Sequence, residues 1–336
     1  MQAARLPLIT IGACIALFAM VIAGTFWGTA PIPWDQKLAV LLRAPEAKSS
    51  LTMIIWEWRL PRVLACAVVG AALALSGTLI QTALRNPLAD PYLLGLSSGA
   101  SAAAVAAIIW LPAGIVAAFG LPLIAFLGAA AAFAFTLLMA YSRERPMDRL
   151  LVILAGVAVS LLFQSFTAFL LHISEPNAAK AALNWLMGSA AGTNWNDLPL
   201  ITVATLVVAA MALTQHRQLD ALLMGDARAT SLGVATGPLK LSIFLATALL
   251  TGLSVSIMGI VGFVGLIVPH LARQLCGSGH KNLIPLAMIF GALILTFTDL
   301  LCRTLLAPSE LPLAVLLALF ATPPFIFILR QTRHVA

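Results

Sequence analysis

The chain has 336 residues, of which 61% are hydrophobic and only 9% carry a charge. Soluble globular proteins carry a charge on about 25% of their residues, so this composition excludes a soluble globular protein and makes a lipid bilayer the solvent. A net charge of +7 would suggest a nucleic-acid partner for a soluble protein. Here we assign it to basic residues at one membrane face and expect no nucleic acid. The apolar runs are continuous rather than alternating, which predicts an all-α polytopic membrane protein.

Uncharged runs predict ten membrane segments, because a full span needs about 20 apolar residues. The first covers about 7–30 and is longer than a signal-peptide core. The second follows Arg59 and ends near 83, and the uncharged run over 91–142 is too long for one span. The further full-length segments are expected at about 92–111, 117–141, 150–171, 198–214, 240–258, 282–304 and 313–330.

The eighth segment, at about 264–276, is predicted to be a short or broken helix. Gly259, Gly262, Gly265 and Pro269 interrupt a run that is too short for two spans and a turn. Broken helices at membrane depth are tolerated only inside protein or along a cavity. With ten segments both termini lie on one side, and the positive-inside rule makes that side cytoplasmic.

Two polar segments stand out on the predicted cytoplasmic side. Residues 85–91 combine two prolines with Arg85 and Asp90, which predicts a rigid turn because proline fixes φ and restricts the residue before it. Residues 215–239 are amphipathic, and the pattern predicts two short helices on the membrane surface with a glycine near their junction.

Neither a catalytic nor a metal site is predicted. The five histidines share no metal-ligand spacing, and His172 alone lies where it would meet a substrate, at the outer end of the fifth segment. The four cysteines lie in or beside apolar runs and form no CxxC, so we interpret them as packing residues. No GxxxxGK[ST] motif occurs, so nucleotide chemistry would have to come from a partner.

Several short motifs stand in order along the chain: Arg59-Leu60-Pro61-Arg62, Arg85 to Pro91, Leu222 to Gly233, Gly262 to Arg273 and Glu310-Leu311-Pro312. Together they resemble the FecCD/BtuC-like permease family, the membrane subunits of bacterial type II ABC importers for ferric siderophores, haem and vitamin B12. The resemblance covers about 59–330. The chain departs from the family at Leu313-Ala314, where Val-Gly is usual, and in lacking an Asp before His280.

The resemblance implies one permease domain over 1–336 with the type II ABC importer fold and about ten transmembrane helices per subunit. It implies a homodimer in the bacterial inner membrane, two cytoplasmic ATPase subunits and a periplasmic substrate-binding protein. No permanently bound cofactor is expected, and ATP and Mg would belong to the ATPase.

The resemblance also implies roles for particular residues, each with a plainer alternative. Binding-protein docking is expected at Arg59, Arg62 and Arg303, which would otherwise be interfacial arginines that snorkel. ATPase coupling is expected within 215–239, which would otherwise rest on lipid headgroups. The coupling residues are Leu222, Leu223, Gly225, Asp226, Leu232 and Gly233.

A cytoplasmic gate is expected from two loops, which would otherwise be rigid connectors. Its residues are Asn86, Leu88, Pro146 and Met147. A translocation path is expected along the fifth segment, where Ser160, Gln164 and Thr167 form one mildly polar stripe. Interhelical hydrogen bonding explains that stripe equally well. His172 completes the predicted path.

Two function classes remain open from the sequence. The first is the permease subunit of an ATP-driven importer, without enzyme activity of its own, whose cargo we rank as ferric siderophore, then haem, then cobalamin. The second is a proton- or ion-coupled secondary transporter that works without an ATPase. Asp299 is the observation that favours the second class, because an intramembrane carboxylate is a candidate proton relay. Arg303 four residues later would pair with it.

Overall fold

The computed structural model describes residues 2–44, 48–112, 120–141 and 148–332, with side chains over 6–323 of these ranges. All regular structure in these ranges is helical. The first half contains α1 (Gln2–Phe26), α2 (Trp34–Leu41), α3 (Ser49–Met53), α4 (Leu60–Leu84), α5 (Leu96–Trp110), α6 (Leu121–Ala140) and α7 (Arg149–Ile173). The second half contains α8 (Pro176–Leu186), α9 (Leu198–Thr214), α10 (His216–Leu223), α11 (Asp226–Ser231), α12 (Thr236–Met258), α13 (Val264–Cys276), α14 (His280–Thr304) and α15 (Leu313–Thr332).

The helices confirm the all-α membrane fold. Among the described residues, 7 helices are long and apolar enough to cross a membrane, and Leu96–Trp110 and Leu313–Pro323 are shorter apolar helices. The short helix α13 begins at Val264, directly after Phe263, whose φ of 68° lies in the left-handed region. Gly259, with φ of 70°, also lies in that region before the helix. Each of the ten predicted membrane segments therefore coincides with a helix.

The second predicted span, which follows Arg59 and ends near 83, matches α4 (Leu60–Leu84). A π-helical turn over Ile54–Arg59 joins α3 to α4, so one continuous helix covers Ser49–Leu84. Charged and aromatic residues before Arg59 hid this extension, because the hydropathy pattern stops at the first charges. Two further helices, α2 and α8, occupy stretches that the sequence presented only as polar.

Helix α4 forms the centre of the bundle, where it packs against α9, α12, α13 and α14. The backbones approach closely at two pairs of glycines. A Cβ added to Gly70 would lie 2.2 Å from the carbonyl oxygen of Gly291, and one added to Gly77 would lie 1.9 Å from that of Gly265. Small residues permit such contacts between membrane helices. Helix α4 therefore lies at the centre of the bundle, with Arg62 near one end and Arg85 at the other. These two ends of the molecule are called the Arg62 end and the Arg85 end.

Candidate functional site

The Arg62 end contains a buried network of ion pairs centred on Asp299. Arg62 donates from Nε to Asp299 Oδ1 at 2.8 Å, and its two Nη atoms lie 2.9 and 3.0 Å from the carboxylate oxygens of Glu310. On the other side of the carboxylate, Arg303 Nε lies 3.1 Å from Asp299 Oδ2. This network of ion pairs thereby links α4 to α14 and to the loop before α15, and it includes a bidentate arginine–carboxylate contact.

Arg59 lies beside this network and is satisfied differently. It donates to the carbonyl oxygens of Phe26 and Ala30 at the end of α1, and Arg303 donates to that of Gly24 at 3.1 Å. Three arginines and the carboxylate of Glu310 thus line a cavity of about 240 Å³, which also touches Thr29 and Trp58. Counting Asp299, which pairs with Arg62 and Arg303, the network has an excess of one positive charge, which gives this cavity a preference for anions.

The three predicted docking arginines are brought together, but none projects from the surface. Arg59 is 6%, Arg62 8% and Arg303 3% exposed. The expected pair of Arg303 with Asp299 is present, whereas the contacts of Arg62 with Asp299 and Glu310 were not anticipated. The motif Glu310-Leu311-Pro312 was the signal available for them. A docking role for these arginines stays a prediction.

The loop over 85–91 at the Arg85 end has the rigid geometry expected from its prolines. Asn86 Oδ1 accepts a hydrogen bond from the amide of Leu88 at 2.9 Å, and Asp90 Oδ1 accepts one from the amide of Tyr92 at 2.8 Å. Burial raises the pKa of Asp90 to about 6, against the opposing effect of the Tyr92 hydrogen bond. Leu88 is 45% exposed at the tip, while Pro146 and Met147, the other predicted gate residues, lie outside the described residues.

The coupling segment, residues 216–232, consists of α10 and α11 with Gly225 between them, as predicted. Gly225 has φ of 110° and Gly233 has φ of 83°, values that favour glycine. Leu222 is fully buried in the main core cluster, so it supports the segment from within rather than contacting an ATPase. Three apolar side chains at the outer surface of the segment are exposed by 37%, 60% and 64%: Leu223, Met224 and Leu232. They lie among exposed polar and basic residues, which include Arg217 and Arg228. Met224 was absent from the predicted contact residues.

Asp226 and Asp220 attach the coupling segment to the bundle. Asp226 Oδ2 lies 3.1 Å from Arg85 Nη2 and 2.9 Å from Lys240 Nζ. Asp220 Oδ1 accepts hydrogen bonds from the amide of His280 at 2.9 Å and pairs with its Nδ1 at 2.6 Å. The sequence assigned Asp226 to ATPase coupling, and Asp220 was not among the predicted coupling residues.

The predicted path residues on α7 differ in their exposure. Gln164 and His172 are exposed, Ser160 is half-buried, and Thr167 is buried. The hydroxyl of Thr167 donates to the carbonyl oxygen of Phe163 on the same helix at 2.8 Å, so it makes no contact with a path in this protomer. Among the described residues no group of three or more potential metal ligands occurs.

Comparison with known proteins places this geometry in one family. The model of the FecCD transport family matches residues 15–331. The Fe(3+) dicitrate transport system permease protein FecD of Escherichia coli is 36% identical over 95% of this chain and 97% of its own length. The hemin transport system permease protein HmuU of Yersinia pestis is 39% identical over 83% of this chain and 84% of its own.

Two further comparisons extend the range of relatives and support the fold. The vitamin B12 import system permease protein BtuC of Vibrio cholerae is 39% identical over 84% of this chain and 85% of its own. A solved structure described as a metal-chelate type ABC transporter in an inward-facing conformation superposes with a TM-score of 0.85. It has 30% identity and covers 97% of this chain and 99% of that one. This chain is therefore a transport permease that belongs to the FecCD transport family.

Proposed function

We propose that the chain is the membrane subunit of an ATP-driven importer that moves an iron chelate or cobalamin from the periplasm to the cytoplasm by alternating access. The observation that carries this proposal is the group of three exposed apolar side chains on the coupling segment. Leu223, Met224 and Leu232 lie at the ends of two short helices at one end of the bundle. Exposed apolar side chains on short helices fit a groove on a partner protein, and the missing nucleotide-binding motif makes an ATPase the fitting partner.

A homodimer is the assembly that α7 supports. This helix spans the bundle, yet Gln164 and Ser165 near its middle are exposed in a single protomer. A primary amide facing lipid lacks hydrogen-bond partners, which is costly. A second copy that covers this face and encloses a hydrated path between the two α7 helices removes that cost.

The cavity at the Arg62 end is the proposed docking position of a periplasmic binding protein. Its three arginines carry one more charge than the two carboxylates that pair with them, and Glu310 at its margin has a side chain that is 35% exposed. An acidic side chain of the partner would enter this cavity. The proposed orientation follows, with the Arg62 end periplasmic and the Arg85 end, including both termini, cytoplasmic in a bacterial inner membrane.

Docking is best tested without removing a buried arginine, because each such variant also damages the fold. Thr29 is exposed at the cavity, so Thr29→Glu adds a carboxylate at its mouth. We expect this variant to weaken binding of the binding protein, and Ser50→Glu, an exposed change at the same end, to leave it unchanged. Equal affinities for the two variants would contradict docking at the cavity.

The transport activities of the relatives give the cargo classes to be tested: ferric dicitrate, hemin and vitamin B12. We rank a ferric siderophore first, haem second and cobalamin third. The chain is reconstituted in liposomes with its ATPase and binding protein, and uptake of ferric citrate, hemin and cyanocobalamin is measured with and without ATP. We expect ATP-dependent uptake of one of them.

The competing function is a proton-coupled carrier that uses Asp299. The structure favours a different role for this residue, because Asp299 is fully buried and contacts two arginines. That arrangement makes a fixed counter-ion, and in the part of the chain that the structure describes no second carboxylate contacts it. Uptake driven by a proton gradient in liposomes that contain this chain alone would overturn the importer proposal.

A further inference from the structure

Ion pairs and hydrogen bonds attach the coupling segment to α4, the helix that precedes the loop over 85–91. Asp226 makes the first of two such attachments. The Asp226 carboxylate accepts contacts from Arg85 and from Lys240 on the same oxygen, at 3.1 and 2.9 Å. Arg85 is the last residue of the α4 turn, with φ of 49°, and Asn86 follows it directly. A displacement of α11 therefore acts on the residue from which the loop starts.

The backbone of the coupling segment touches the same guanidinium. A Cβ added to Gly225 would lie 2.8 Å from Arg85 Nη1. Two consecutive residues of the segment, Gly225 and Asp226, thus hold Arg85 by shape and by charge. Any side chain at position 225 would separate the two groups, and the φ of 110° at this glycine excludes most other residues.

Asp220 makes the second attachment to α4, through His280. The carboxylate binds the amide and Nδ1 of His280, and Nε2 of the same ring lies 2.7 Å from the hydroxyl of Thr82. Thr82 lies in the last turn of α4, and Arg85 is the residue that follows this helix directly. Both carboxylates of the coupling segment are therefore connected by direct or relayed contacts to the C-terminal end of α4.

We propose that Asp226 and Asp220 are positioning residues that transmit movement of the coupling segment to the last turn of α4 and so to the loop over 85–91. This inference rests on the importer function proposed above and deepens it. The carboxylates lie on the surface, with side chains 42% and 38% exposed, whereas those of Lys240 and His280 are 6% and 0% exposed. The segment can therefore move while its partners remain part of the bundle. A charged contact keeps its strength better under such movement than a packed apolar contact does, because Coulomb attraction falls slowly with distance.

Hydrogen exchange in the complete complex with the ATPase tests the link. Exchange is measured with and without ATP and vanadate in the native chain and in Asp226→Asn, which keeps shape and removes charge. In the native chain we expect nucleotide to change exchange both at 223–232 and at the amides of 85–90. In Asp226→Asn we expect the change at 223–232 to persist and the change at 85–90 to be reduced. In the double variant Asp226→Asn with Asp220→Asn we expect the change at 85–90 to be lost.

Further variants separate transmission from a merely structural contact. Arg85→Gln removes the other partner and must give the same selective reduction, which keeps the test decisive if Asp226→Asn assembles poorly. Asp226→Glu retains the charge and should restore the response at 85–90. Asp148→Asn is the matched control, because Asp148 caps α7 through the amide of Leu150 and asparagine caps equally well.

Two outcomes are distinguishable from each other. If both segments of Asp226→Asn and Arg85→Gln, and of the double variant, respond to nucleotide as in the native chain, the carboxylate link is wrong while the importer function stands. If the native chain responds at neither segment because it does not bind an ATPase, the importer function itself fails.

Discussion

The two ends of the molecule both use arginine–carboxylate pairs, but they bury them to different extents. At the Arg62 end, Asp299 is fully buried and Arg62 is 8% exposed. At the Arg85 end, the side chain of Asp226 is 42% and that of Arg85 is 21% exposed. A buried pair is expensive to break because the remaining charge loses its only compensation, whereas water and salt compensate a half-exposed pair.

This difference suggests a division of labour along α4. The Arg62 end closes the bundle by fixing α4, α14 and the loop before α15 to one another. The Arg85 end holds the short helix pair through half-exposed ionic contacts. The close glycine contacts between the two ends fix α4 against α13 and α14.

The largest effect is expected when the buried network loses its central charge. Asp299→Asn leaves Arg62 and Arg303 buried beside a neutral amide, so we expect the free energy of unfolding to fall by about 3–5 kcal/mol. Titration of the detergent-solubilised protein with a denaturing detergent measures the loss. Asp35→Asn, an exposed change on α2, is the matched control. Equal stability of the two variants would mean that the network at the Arg62 end contributes little.

The next effect is expected midway along α4, where the two ends are connected. Gly77→Ala would place its Cβ 1.9 Å from the Gly265 carbonyl oxygen, so α4 and α13 must separate. We expect a loss of about 1–3 kcal/mol, as for overpacked cores. Gly12→Ala has no atom within 4 Å and should be neutral or slightly stabilising in the same titration. If both alanines are tolerated alike, the close contact between Gly77 and Gly265 does not fix α4 against α13.

The sequence predicted the membrane segments well because hydropathy depends only on neighbouring residues. The run without charge after Arg62 and the glycines around α13 were sufficient to place α4 and the short helix α13. Arg62 and Glu310, by contrast, lie 248 residues apart and form two hydrogen bonds. Nothing in the local pattern of either residue indicates that α4 and the loop before α15 are neighbours, so the local pattern does not predict this pair, and only the motif Glu310-Leu311-Pro312 pointed to Glu310.

The coupling segment shows the same limit on a smaller scale. Its two helices and the glycine between them follow from the amphipathic pattern. The pattern did not determine which leucine faces inward, since Leu222 and Leu223 are adjacent and a helix of 8 residues has a poorly defined phase. Burial of Leu222 and exposure of Met224 depend on how α10 lies against α4 and α14.

A smaller effect is expected at the exposed margin of the network at the Arg62 end. Glu310→Gln keeps one acceptor for Arg62 and removes a charge whose side chain is 35% exposed, so we expect a loss of about 1 kcal/mol. The loss should shrink further in high salt, unlike that of Asp299→Asn. A loss as large as that of Asp299→Asn would show that the margin and the centre act as one buried unit.

The smallest effect on stability is expected on the outer surface of the coupling segment. Leu232 is 64% exposed, so Leu232→Glu should change the free energy of unfolding by no more than about 0.5 kcal/mol. It should nevertheless weaken association with the ATPase by about tenfold or more, because a charge would enter an apolar groove. Binding of the detergent-solubilised chain to the purified ATPase measures this. Ser278→Glu adds the same charge at an exposed position of the Arg85 end outside the segment and should bind normally. Normal ATPase binding by Leu232→Glu would remove the principal support for coupling at this end and leave the contrast between the two ends purely structural.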